Sequence, residues 1–122
     1  MDVKAKVAEL GLTIPTAALP VAAYIPTVKT GNLVFTAGQL PLLDGKIPHV
    51  GKVGGEVSEA DAKAMAQLCG LNAIAAAALV CDINKIERVV QVRGFVNGVP
   101  GFVGHPGVVN GVSELFIQIG RA

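Results

Sequence analysis

Six polar side chains in this 122-residue chain stand in apolar or glycine-rich surroundings, where a polar group needs a partner. They are Tyr24, Thr36, Gln39, Arg93, Asn97 and Asn110. Together they could hydrogen-bond a small polar molecule, with Arg93 the only cation among them. Each also has a structural reading: Tyr24 can snorkel from a core edge, and Gln39 can satisfy a strand end. Asn110 is harder to explain that way, because it lies beside Gly111 inside a helical pattern and both are poor helix formers.

Other chemistries lack their residues. His49 and His105 are fifty-six positions apart, and neither has a Cys, Asp or Glu at ligand spacing, so no metal site is expected. Cys69 and Cys81 lie in apolar helical sequence, without the cationic neighbour or helix N-terminus that activates a thiol. The glycines form neither a dinucleotide fingerprint nor a phosphate loop, and no cofactor is expected.

The elements that must carry these residues follow from periodicity. Val3, Val7 and Leu10 share one face of a helix over 2–10, with Gly11 at its C-terminal stop. The segment 12–31 holds three prolines and reads as extended along a surface. A β-rich run at 32–42 follows, closed by Asp44-Gly45, with 46–53 returning weakly past Pro48. Ser58 opens a long Ala-rich helix to about Val80, with Met65, Leu68, Asn72, Ala76 and Leu79 on its core face. Residues 86–96 read as a strand, with Val90, Val92 and Val96 on one face and Val89, Gln91, Arg93, Phe95 and Asn97 on the other. Gly94 marks a bulge or a close backbone approach. Pro106 opens a last helix with Val108, Val112, Leu115 and Ile119 as its stripe. This order gives an α+β fold with helices packed on one sheet face, as one domain over 1–122 with residues 1–20 as helix and lead-in. Three strands leave the long helix more sheet to cover than is present, so a further strand pair is expected after Ala122.

Composition narrows the function. Apolar residues make up 52% and mean hydropathy is +0.58, which excludes a disordered chain. Charged residues are only 16%, below the usual quarter, which points to a surface shared with other subunits. A net charge of +1 and five aromatics without Trp offer no basic stripe or stacking platform, so a nucleic-acid partner is not expected. No signal core or membrane-spanning apolar run is visible, and a soluble, cytoplasmic protein is expected.

Several motifs together resemble the reactive intermediate deaminase A (YjgF/RidA) family. Tyr24 precedes Gly31-Asn32-Leu33-Val34-Phe35-Thr36-Ala37-Gly38-Gln39; the strand Val90 to Val96 and the helix HPGVVNGVSELF with Asn110 complete the match over roughly 20–119. The N-terminal helix resembles a longer branch of that family. The resemblance implies a chorismate-mutase-like fold and a homotrimer with sites in clefts between subunits. It further implies cofactor-free hydrolysis of small enamines or imines to 2-oxo acids and ammonia. Tyr24, Ala37, Gly38, Gln39, Phe95 and Asn110 are the substrate-binding candidates it implies for a small carboxylate metabolite. Ala37 stands where the deaminase branch commonly has serine. The family's carboxylate-clamping arginine and its glutamate are expected beyond Ala122, and Arg121 is not equated with the clamp. A non-catalytic metabolite-binding trimer is the alternative reading; the ribonuclease or translation-inhibitor role described for some relatives fits the charge less well.

Overall fold

Capping chemistry sets the helix boundaries. Asp2 accepts a hydrogen bond from Ala5 N at 3.1 Å and opens α1 (Val3–Glu9), and Gly11, at φ +74°, turns the chain out of it. Ser58 accepts from Asp61 N at 3.1 Å and opens α2 (Glu59–Ala77), with Glu59 and Asp61 favourably placed in its first turn. Pro106 sits in the first turn of α3 (His105–Gln118). This last helix closes in a Schellman arrangement: Gly120 has φ +74°, Gly120 N donates to Ile117 O and Arg121 N donates to Phe116 O. These features belong to a computed structural model that describes residues 2–18, 20 and 22–122.

The two long helices carry the core. Gly70 of α2 and Gly111 of α3 let their backbones approach. A Cβ at Gly111 would collide with the Lys63 carbonyl oxygen, and one at Gly70 would press on Leu115 at 3.0 Å. Gly111 therefore has a packing reason to interrupt the helical pattern beside Asn110. Val3, Val7, Leu71, Ile74, Leu115, Phe116 and Ile119 form the main core, with Val112 packed against it. A second cluster joins Val53, Val57, Ala62 and Val108. The α3 stripe matches the expectation. On α2 the buried face is wider than expected at Leu71–Ala77, whereas Leu79 lies past the helix end and is exposed.

The sheet differs from the expected hairpin. β1 (Thr27–Thr30) and β2 (Leu33–Thr36) pair antiparallel around Gly31-Asn32, with Gly31 at φ +55°, the positive first position of a type II′ turn. The proline-rich lead-in thus ends in a strand, because Pro26 is its last proline and Thr27-Val28 are β-branched. Asp44 and Gly45 do form a positive-φ turn, at +52° and +79°, but it closes only the single bridge between Leu43 and Lys46. Pro41 and Pro48 flank it and remove the donors a longer ladder would need.

The expected strand at 86–96 is likewise not part of a ladder among the described residues. It is held at its ends, by Val89 N to Arg121 O and Val53 N to Asn97 O, the latter at 2.8 Å. Gly94 crosses α3 so closely that a Cβ would collide with Val109. The close-approach reading of this glycine holds. With no neighbouring strand beside it, Val90 and Phe95 stay 77% and 94% exposed.

The packing at Gly111 makes a prediction in which two effects oppose. Helix propensity alone would make Gly111→Ala stabilising by about 1 kcal/mol. Overpacking against Lys63 costs about 1–3 kcal/mol, occasionally more, and should win. Thermal unfolding followed by circular dichroism should show a lower Tm; an unchanged or higher Tm would contradict the close helix crossing.

Candidate functional site

The site begins as a consequence of strand register. Thr27 pairs with Thr36, Ala37 N donating to Pro26 O carries the register one residue further, and beyond it Tyr24 and Gln39 reach the same crevice. The hairpin therefore brings together residues fifteen positions apart in sequence. Its open end is fastened by Ala37 N donating to Pro26 O at 2.8 Å and Thr27 Oγ1 donating to Phe35 O at 3.0 Å. Upstream, Leu12 and Ile14 pack on the main core and anchor the lead-in to the helices.

Tyr24, Gly38 and Gln39 line one crevice with Ala18, Pro20, Leu40 and Leu42. Gln39 Nε2 donates to Ala37 O at 3.0 Å, which fixes its amide against its own loop. The Tyr24 side chain is 44% exposed, and its hydroxyl makes no hydrogen bond among the described residues. Nothing lies within 4 Å of a Cβ built at Gly38, so packing within one chain does not require this glycine. The crevice measures about 30 Å³. That space fits a water, whereas small-molecule sites run to about 300–1,000 Å³. None of the described lining residues is charged.

The other candidates lie elsewhere. Ala37 contributes its carbonyl to Gln39 but does not line the crevice. Phe95 projects from the unpaired 86–97 segment, and Asn110 is exposed on α3; neither lines the crevice. Arg121 is 8% exposed, and its guanidinium donates to the carbonyls of Ile119, Gly120 and Asn84. Its position follows from the Schellman turn, and it serves the end of α3. Sequence reasoning read Asn72 only as part of a helical core face. Its Nδ2 in fact donates to Leu40 O and Leu42 O, both at 3.1 Å, behind the crevice wall. An amide in an otherwise Ala-rich buried stretch was the available signal.

A larger concavity of about 540 Å³ lies between the lead-in and the end of α2, with Lys4, Ile14, Ala75, Cys81 and Asp82 in its wall. It is open, and two of its polar groups serve local structure: Asp82 caps the 3-10 turn Ile83–Lys85 and Cys81 Sγ contacts Ala77 O. The smaller crevice holds the chemistry-bearing residues.

Comparison with known proteins then identifies the chain's relatives. The family model described as "YjgF/chorismate mutase-like, putative endoribonuclease" matches residues 4–122. The chain belongs to this YjgF family. Protein TCP17 of Trypanosoma cruzi is 31% identical over 118 residues, covering 96% of this chain and 74% of that protein. The crystal structure of Atu1372 from Agrobacterium tumefaciens, described as of unknown function, is 40% identical with a TM-score of 0.84, covering 98% of this chain and 75% of that one. A Shewanella oneidensis protein described as a "putative endoribonuclease" superposes with a TM-score of 0.92 at 28% identity, covering 98% and 80%. The α+β, chorismate-mutase-like fold of this YjgF chain is thereby established. No helix among the described residues is long and apolar enough to cross a membrane.

Cys69 lies in α2, and burial pushes its thiol up to about 11, because desolvation penalises the thiolate. At pH 8 it should resist iodoacetamide, and its labelling rate should rise about tenfold per pH unit up to pH 10. Mass mapping of the alkylated peptide reads this directly; a plateau near pH 9 would contradict the buried setting.

Proposed function

We propose that this YjgF chain is an enamine/imine deaminase that hydrolyses small 2-imino or 2-enamino acids. Water adds to the imine carbon and ammonia leaves, so that R–C(=NH)–COO⁻ and H₂O become R–C(=O)–COO⁻ and NH₃. The observation that carries the reading is the convergence of Tyr24, Gly38 and Gln39 on one crevice at the open end of the hairpin. Tyr24 and Gln39 supply hydrogen-bonding groups for the imine and its water, and Gly38 leaves room for a ligand beside the backbone.

A crevice of about 30 Å³ is too small for such a substrate in one chain, which supports a site completed by a neighbouring subunit. Two further observations support self-association. Area scaling expects roughly 6,000 Å² for a compact chain of this mass. The chain exposes 7758 Å². The excess is comparable to two standard interfaces of about 800 Å² per partner. The sheet also presents Val28, Leu33 and Phe35 bare on the face away from buried Thr27. A homotrimer gives each chain two such neighbours, and Asn110 and Phe95 are assigned to a boundary between subunits. A substrate carboxylate needs a cation from outside the described lining; Arg121 is engaged with backbone carbonyls, and Arg93 on the exposed 86–97 segment is the residue of this chain to substitute first.

The test is a coupled assay in which a threonine dehydratase generates 2-iminobutanoate and release of 2-oxobutanoate is followed. The protein should accelerate release over spontaneous hydrolysis. Gln39→Ala should lose about threefold to tenfold, the worth of one or two hydrogen bonds. Release at the spontaneous rate, with 2-oxobutanoate bound by the protein, would favour the non-catalytic binding trimer. Cleavage of single-stranded RNA without acceleration would overturn both in favour of a nuclease.

A further inference from the structure

We infer that Asn72 is a positioning residue for the Tyr24–Gln39 crevice, strapping the loop that forms its wall to helix α2. This rests on the reading of the crevice as a ligand site. Asn72 is 3% exposed. Among the described residues its Nδ2 donates to the carbonyls of Leu40 and Leu42, thirty-two and thirty residues earlier in the chain. Those two residues line the crevice beside Gly38 and Gln39. The other hydrogen bonds within 38–42 are local: Leu42 N to Leu40 O, and Gln39 Nε2 to Ala37 O.

Apolar burial holds this loop only partly, since Leu40 is exposed, Pro41 and Leu42 are half-buried and none of the three joins a core cluster. The strap comes from a helix whose neighbouring Gly70 is packed closely against α3 and whose Leu71 and Ile74 belong to the main core. One amide group bridging two carbonyls sets both their spacing and the height of the loop above the helix. An aliphatic side chain of similar volume would fill the space and set neither. A carboxylate would repel both carbonyls.

The chain's single tyrosine and absence of tryptophan make Tyr24 emission a probe of the crevice alone. Asn72→Leu and Asn72→Asp should raise acrylamide quenching of Tyr24. They should also speed hydrogen exchange at Leu42, whose N–H donates to Leu40 O in the strapped loop, about tenfold or more, as expected when the two hydrogen bonds that hold the loop are lost. Ile74→Val, a core change on the same helix, serves as control and should leave Tyr24 quenching unchanged despite lowering Tm. Unchanged quenching and exchange in folded Asn72 variants would overturn the strap, as would an Ile74→Val response equal to theirs. Should neither Asn72 variant fold, the unmodified protein decides: its Asn72 carboxamide protons should be protected from exchange, and free exchange would overturn the proposal. Titration with 2-oxobutanoate separates the two readings. A loop loosened in Asn72→Leu, with no response of wild-type Tyr24 to 2-oxobutanoate, would sustain the strap and refute the ligand site.

Discussion

The antiparallel register that sets Thr27 against Thr36 governs what the candidate site can be. A shift by one residue would turn every side chain of the hairpin to the opposite face. Thr27 would leave its buried position, and Val28 and Phe35 would turn toward α2. Tyr24 and Gln39 would no longer be carried to one crevice. The two-residue turn at Gly31-Asn32 excludes that slip, because only a residue tolerant of positive φ fits its first position. The motif of a tyrosine, a Gly-Asn pair and a Gly-Gln pair therefore has a geometric meaning. Its middle fixes the turn, and its ends are carried to one crevice.

The helices give that hairpin something to rest on. Gly70 and Gly111 bring α2 and α3 together, and the resulting platform holds Asn72 beneath the loop that follows β2. Charge plays a smaller part. Lys63 and Glu114 meet at 3.0 Å across the helix pair, but both are well exposed, where such pairs contribute about 0–1 kcal/mol. Glu59 lies against Gly104 and Gly107, supplying negative charge at the start of α3, whose N-cap Gly104 has no side chain to offer.

Much of this was legible in the residues. Ser58, Pro106 and the Val108-Leu115-Ile119 stripe placed two helices within a few residues, because capping and periodicity are local properties. Strand pairing was harder. Asp44-Gly45 is the stronger turn dipeptide and does turn, yet Gly31-Asn32 closes the ladder, because prolines bound the first and β-branched residues flank the second. The 86–96 alternation is genuine, but a strand exists only beside a partner, and alternation names none. At the site, Tyr24, Gly38 and Gln39 were identified by motif and lie together. Asn72 was read as core because its spacing is that of a core residue; the two carbonyls that it binds come from a loop whose path no local pattern reports.

In the proposed deaminase, one chain carries part of the site and assembly completes it. A dilution series tests this most directly, with light scattering for mass and Tyr24 emission for binding of 2-oxobutanoate in the same samples. The proposed trimer should appear as a particle of about three times 12.4 kDa that responds to the ligand, and the response should be lost in step with dissociation. A full response from a 12.4 kDa monomer would contradict it.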